Sequence, residues 1–386
     1  MARVLLGDVI KESKNNIDRD NNPYDYYVAG EHMDTEELRI QRCGKFSEPP
    51  EPGPAFIRAF KPGQVLYGSR RTYLKKVAVA DFEGVCSNTT FVLETKDNSV
   101  FLQKLLPFLL YSERFTRFSI DNSKGSTNPY ILFSDLAKYE FDLPPLAKQM
   151  RLVELFWCIN AAKDAYKKLL FSVEALIKSQ FIEMFGDPMT NPKGWEVKPL
   201  EEVFYITSSK RILKSEWQKN GIPFYRVRDM VLLAKGESAN NEFFVSEEFY
   251  NTLKDSDGIP KNGDIMVSAT STIGKCYIAK EHDKFYYKDA DVLRFRNKGE
   301  LVPQYFTFSM QMPFIINQIQ QSLGATTVGH FTIMNAKKTK IHLPPLSLQN
   351  EFAAFVEQAD KSKFAAQATL ARLEATYKAL LNHHLG

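Results

Sequence analysis

From Leu152 onward, apolar side chains recur in alternating steps of three and four: Leu152, Leu155, Ile159, Ala162, Tyr166, Leu169, Val173 and Leu176. That spacing is a heptad seam, the pattern of a helix that lies against another helix. Trp157, Leu170, Ile177 and Phe181 widen the stripe, and no proline or glycine interrupts the run from Ala147 to Phe185. Gly186-Asp187-Pro188 then supplies a stop, because glycine tolerates a left-handed cap and proline cannot continue the helix. At about 1.5 Å per residue, roughly forty residues make a rod of about 60 Å.

A second run of this kind closes the chain, through Phe352, Phe355, Ala359, Ala366, Leu370, Leu373, Tyr377 and Leu380. One long amphipathic helix cannot hide its own stripe, whereas two from one chain can cover each other. The predicted helix–helix interface is therefore Leu152, Leu155, Ile159, Tyr166, Leu169, Val173 and Leu176 against Phe352, Phe355, Ala359, Leu370, Leu373 and Tyr377.

The two runs are copies. Leu-Pro-Pro-Leu precedes each, at 143–146 and 343–346, an offset of 343 − 143 = 200. At that offset, without a gap, Gln149 meets Gln349, Lys163 meets Lys363, Leu170 meets Leu370, Glu174-Ala175 meets Glu374-Ala375 and Gly186 meets Gly386. The register also holds upstream. KPGQVL (61–66) meets KNGDIM (261–266), and GSRRTYLKKVAVA (68–80) meets SATSTIGKCYIAK (268–280). Gly125-Ser126-Thr127 meets Gly324-Ala325-Thr326 with a shift of one. The chain is an internal duplication, divided as a globular region 1–142, a helix 143–186, a globular region 187–342 and a helix 343–386.

The globular regions mix short strands with helices. Strand candidates are KKVAVAD (75–81), TFVLET (90–95), FYRV (224–227), GDIMVS (263–268), CYIAK (276–280) and DVLRFR (291–296). Helix candidates are 100–115 and 302–320. The order lacks a regular strand–helix–strand alternation, so the class is α+β.

Composition narrows the function. A net charge of +4 is mild, so any nucleic-acid surface is a local patch. Cys43, Cys86, Cys158 and Cys276 are widely separated, which fits a reduced cytoplasmic protein without a disulfide or zinc framework. The run at 101–111 is too short to span a bilayer, and the N-terminus lacks the apolar run of a signal peptide. No Walker A, HExxH or GxSxG motif occurs. NNPY (21–24) and TNPY (127–130) lack the second proline of the adenine-methyltransferase signature and read as turns. His383-His384 are adjacent on a helix and face different ways, a poor metal pair.

Polar loops beside cations carry the remaining chemistry. In the first half these supply Arg70, Arg71, Thr72, Lys75 and Lys76, then Lys124, Ser126, Thr127 and Asn128. Their counterparts are Thr270, Ser271, Thr272 and Lys275, then Thr326, Thr327 and His330, with Arg226 and Arg228 adding charge. Glycine admits close approach of backbone to a ligand, hydroxyls and cations suit phosphates, and Arg and Asn can contact base edges.

Two variable domains, each closed by Leu-Pro-Pro-Leu and a long helix, with paired Lys-x-Gly strand starts and Gly-[Ser/Ala]-Thr loops, resemble the specificity subunit of type I restriction–modification enzymes over essentially the whole length. The resemblance implies two target-recognition domains, each reading one half of a split, asymmetric DNA sequence. It implies antiparallel coiled-coil helices related by a pseudo-twofold, setting the spacing between the halves. The subunit itself is then non-catalytic and binds no cofactor. Two modification subunits bring adenine-N6 methyl transfer and AdoMet, and restriction subunits bring ATP- and Mg-dependent cleavage. The first domain departs from the pattern in having Gln64 for the common Asp and Arg70-Arg71 where the second has Thr270-Ser271. The competing reading is a coiled-coil adaptor that joins proteins without touching DNA.

Overall fold

The computed structural model describes residues 2–240, 242–254, 258–323 and 329–386. Its two long helices are Leu146–Phe185 and Leu346–Leu385, 40 residues each. The chain forms two compact units. One comprises Met1–Leu169 with Ala366–Gly386, the other Leu170–Ala365. Each unit thus holds a globular head, part of one long helix and part of the other.

The two heads repeat one topology. In the first, a four-stranded sheet runs Ile10–Glu12, Thr90–Thr95, Val65–Gly68, Val77–Val79. In the second the same order runs Phe204–Ser208, Val292–Asn297, Ile265–Ser268, Cys276–Ile278. A second sheet in each head, four-stranded in the first and three-stranded in the second, contains one parallel pair: Tyr26–Val28 with Gly84–Ser87, and Ile222–Tyr225 with Tyr286–Tyr287. The turn before the third strand named in each of the two matching four-stranded sheets is built alike. Gly63 and Gly263 take left-handed φ values of 87° and 83°, which a side chain would strain. The backbone N–H of Lys61 is accepted by Gln64 Oε1 at 2.7 Å, and that of Lys261 by Asp264 Oδ2 at 2.9 Å. Gln64 therefore does the capping work of an aspartate, and the departure at this position leaves the turn intact.

Two predicted helices are each broken in two. The first divides at Ser112, whose side chain caps the helix Glu113–Asp121 by accepting from Phe115 N. The second divides into Pro303–Ser309 and Pro313–Leu323, a proline opening each piece, where its missing N–H costs nothing.

The repeat also begins earlier than the offset of 200 reveals. Ala2–Leu5 pairs antiparallel with Glu140–Leu143, and Glu196–Pro199 with Lys340–Leu343. Here the offset is 196 − 2 = 194, and Leu6 and Val9 are buried as Leu200 and Val203 are. Each head is thus closed by pairing its first strand with the strand that leads into Leu-Pro-Pro-Leu.

Gln149 and Gln349 explain why that motif is kept. Both are wholly buried three residues after the second leucine. Gln149 accepts from Leu102 N at 2.9 Å and donates to Val100 O and Pro144 O, each at 2.9 Å. Gln349 accepts from Val302 N at 2.8 Å and donates to Glu300 O at 3.3 Å and Pro344 O at 2.8 Å. One side chain ties the helix start to the proline turn and to the entrance of the head's helices, with its amide satisfied as burial requires.

Aromatic packing joins head and helices in each unit. In the first, the Phe108 ring lies 5.1 Å from Phe156 and 6.3 Å from Tyr377. In the second, Phe181 lies 5.4 Å from Phe352 and 5.1 Å from Phe308, while Lys363 bonds Glu174 at 2.6 Å. Moving down one helix from Phe181 to Glu174 moves up the other from Phe352 to Lys363, so the helices are antiparallel.

The seam is rotated from the predicted one. Leu152, Ile159, Phe352 and Tyr377 are buried, and Tyr166, Val173, Phe355, Ala359, Leu370 and Leu373 are half-buried. Leu155, Leu169 and Leu176 instead face solvent, at 38%, 47% and 54% exposure. The positions four residues after each anchor take their place: Phe156, Lys163, Leu170 and Ile177. The heads pack on that side, and an apolar pattern with leucines on both flanks does not show which flank a third partner covers. The second copy holds the clue, since positions 362, 369 and 376 are Ser, Thr and Thr.

Replacing Gln149 by Leu is expected to cost about 2–4 kcal/mol, because Leu102 N–H and the carbonyls of Val100 and Pro144 lose a buried partner. Urea unfolding of the intact chain measures it, and Gln349→Leu is expected to behave alike.

Candidate nucleic-acid interface

In each head, one loop joins the last two strands of the matching four-stranded sheet, Val65–Gly68 to Val77–Val79 in the first and Ile265–Ser268 to Cys276–Ile278 in the second. In the first it spans 69–76, closed at its base by Gly68 N donating to Lys76 O at 2.9 Å. A short turn, Thr72–Leu74, sits between Arg71 and Lys75, which hold left-handed φ values of 51° and 47° despite their side chains. A loop distant in sequence lies against it. Arg71 N donates to Pro129 O at 2.7 Å and Ile131 N to Ser69 O at 2.9 Å. Lys124 and Tyr130 exchange backbone bonds of 2.7 and 2.9 Å, closing the tip that carries Ser126, Thr127 and Asn128. Two loops far apart along the chain thus make one platform.

Most cations on this platform are engaged. Lys75 Nζ lies 3.1 Å from Glu36 and 3.6 Å from Glu113. Lys76 donates to Gly30 O. Lys124 pairs with Asp135 at 2.8 Å. Bonds from Lys124 and then Lys138 hold the Asp135 carboxyl below the usual carboxylate range. Thr72 is buried and shares a contact of 3.3 Å with Ser123 Oγ. Thr72, Lys75 and Lys76, predicted as ligand contacts, therefore brace the loops. The cations left over are Arg70 and Arg71, both exposed and without an ion pair among the described residues, and Ser126, Thr127 and Asn128 are exposed at the tip beside them. Arg70 lies 5.9 Å from the centre of the Tyr130 ring, within reach of a cation–π attraction. Tyr73 and Tyr130 are exposed beside these arginines. Neither tyrosine was predicted, though aromatic residues interleaved with cations are a signal for nucleic-acid contact.

The second head moors its loop in the same way. Ser268 N donates to Lys275 O at 2.9 Å, and Phe331 N to Ala269 O at 2.9 Å, the counterpart of Ile131 to Ser69. Ser271 takes φ 56°, close to Arg71. Ser271, Thr272 and Lys275 are exposed and Thr270 is half-buried. Thr326 and Thr327 lie outside the described residues. His330 is half-buried, its Nδ1 without a hydrogen-bond partner among the described residues. Arg226 is occupied, pairing with Glu242 at 3.1 Å and lying 4.5 Å over Phe243, whereas Arg228 is exposed on the helix Val227–Ala234. That helix packs through Met230 on Met266 and Tyr277, in the strands that carry the loop.

Among the described residues no three His, Cys, Asp or Glu side chains group as metal ligands, and no helix is long and apolar enough to cross a membrane. Burial pushes the Cys86 and Cys276 thiols up to about 12, so neither is poised as a nucleophile.

Residues 6–157 and 192–375 match the sequence model of the type I restriction modification DNA specificity domain. The MjaIX type I restriction enzyme specificity subunit of Methanocaldococcus jannaschii is 23% identical over 360 residues, covering 87% of this chain and 77% of its own. A Haemophilus influenzae protein described as a type I restriction enzyme specificity subunit is 25% identical over 239 residues, 61% of this chain, and the match spans only 59% of that protein. Among solved structures, the type I restriction–modification S subunit of M. genitalium covers 99% of the chain with a TM-score of 0.62 at 13% identity. A chain from a type I R-M system studied for complex assembly and conformational transition covers 100% with a TM-score of 0.56 at 20% identity. These two share the fold.

Lys75→Ala is expected to lower stability by about 1 kcal/mol, since it unpairs two partly exposed glutamates, whereas Arg70→Ala is expected to stay within about 0.5 kcal/mol of wild type. Urea denaturation of the two variants side by side checks the division of labour.

Proposed function

Since the chain belongs to the type I restriction–modification DNA specificity family, we propose that each of its two loop platforms reads one half of a bipartite, asymmetric duplex site. The long helices set the unread spacing between the halves and carry two modification subunits. A specificity subunit is non-catalytic. Adenine-N6 methyl transfer with AdoMet belongs in this reading to the modification subunits, and ATP- and Mg-dependent cleavage to restriction subunits.

The observation that carries the reading is a duplicated loop mooring with unlike exposed chemistry. Ile131-to-Ser69 and Phe331-to-Ala269 backbone bonds, both 2.9 Å, hold the loops alike. Yet Arg70 and Arg71 stand in one head where Thr270 and Ser271 stand in the other. A preserved scaffold with divergent tips is what two independent readers of different half-sites require. Exposed cations on such tips supply salt-dependent affinity through phosphates, and base-edge contacts supply sequence choice.

Exchanging residues 187–342 for those of a relative is expected to change one half of the methylated sequence and leave the other, as read by modified-base sequencing. A change in both halves would refute independent reading. Inserting one helical turn after Ala162 is expected to lengthen the unread spacer by about one to two base pairs, given about 5.4 Å per turn and about 3.4 Å per base pair. An unaltered spacer would refute the ruler role.

A further inference from the structure

The two platforms differ most at one dipeptide, and the backbone does not explain the difference. Arg71 and Ser271 adopt nearly the same left-handed conformation, with φ 51° and 56°. Their loops are held by equivalent backbone bonds of 2.9 Å, Gly68 N to Lys76 O and Ser268 N to Lys275 O. Thr-Ser therefore suffices to build the loop, and Arg-Arg in the first head answers some other demand.

Packing does not supply that demand, because both arginines are exposed and lack ion pairs among the described residues. General attraction to phosphate does not require it either. Lysine serves that purpose as a point charge, and the lysines on this platform are Lys75, Lys76 and Lys124, each tied to a protein acceptor. What sets Arg70 apart is the ring beside it. It forms an isolated antiparallel bridge with Tyr130 across the two loops, which places the side chains as neighbours, and its guanidinium lies 5.9 Å from that ring. A planar donor fork that stacks on a neighbouring ring keeps its paired N–H groups free for a paired acceptor. On duplex DNA the matching edge is guanine O6 and N7 in the major groove.

We propose that Arg70 reads a guanine in the half-site recognised by the first head, with Tyr130 orienting its guanidinium. This rests on the DNA-reading function proposed above, and it names a base that the second head, with Thr270 at this position, does not read in that way.

The test uses the complete complex of this chain with its modification subunits. Modified-base sequencing defines the bipartite sequence, and the half that survives exchange of residues 187–342 belongs to the first head. Duplexes with that sequence are then made with 7-deazaguanine, which lacks the N7 acceptor, at each guanine of that half in turn. Wild type is expected to bind one of them roughly tenfold more weakly. The Arg70→Thr/Arg71→Ser variant, carrying the pair native to the second head, is expected to be indifferent to that substitution and to methylate sites relaxed at that base. Arg70→Lys keeps the charge and loses the fork, and is expected to lose the discrimination with an unchanged salt slope. The proposal is overturned if the first half-site has no guanine on either strand. It is equally overturned if Arg70→Lys discriminates as wild type does, or if the variants weaken all sequences alike with a smaller salt slope, the mark of a phosphate contact. Those results leave two-headed reading standing. A methylated sequence that ignores exchange of residues 187–342 would remove the reading itself.

Discussion

A helix of 40 residues with a continuous apolar stripe has no stable existence in water by itself, and this chain contains two. Covering those stripes is the constraint from which the rest follows. Each unit meets it by laying part of one helix antiparallel to part of the other and packing a head on the remaining flank. Phe108 between Phe156 and Tyr377, and Phe308 beside Phe181 and Phe352, show the three-way contact. A head attached in this way cannot rotate about its helix without exposing several aromatic rings, each a large share of a stability of about 5–15 kcal/mol.

The junction between head and helix is correspondingly rigid. The strand pairs Ala2–Leu5 with Glu140–Leu143 and Glu196–Pro199 with Lys340–Leu343 deliver the chain to a proline turn, and a buried glutamine bonds that turn to the head. In the first unit two further ion pairs reach from a segment of the head to the helix, Glu37 with Lys167 at 2.8 Å and Arg39 with Asp164 at 2.9 Å. Rigidity here suits a protein whose tips must meet a ligand in register, since base-edge bonds are short and directional.

With the scaffold over-determined, the loop tips are free to vary. The platform of the first head is held by backbone bonds and by Lys75, Lys124 and Thr72, none of which needs the side chains at 70 and 71. Recognition can therefore change by exchanging a few exposed residues while the stability of the head stays where it is.

Sequence alone determined the duplication, the α+β class, the two long helices and their Leu-Pro-Pro-Leu starts, because periodicity, glycine and proline chemistry and self-similarity are local and leave their mark in residue order. It also brought the loops at 68–76 and 122–130 forward as chemistry-bearing. Only the tertiary structure decided which flank of the heptad pattern is buried, so that Phe156 and Lys163 lie inward and Leu155 and Leu169 outward. It alone separated bracing Lys75 and Thr72 from free Arg70 and Arg71, and it exposed the first-strand repeat at Leu6 and Leu200. Those distinctions depend on partners brought together from distant positions, Glu36 and Glu113 for Lys75 or Phe108 for Phe156, and no local pattern encodes such a meeting.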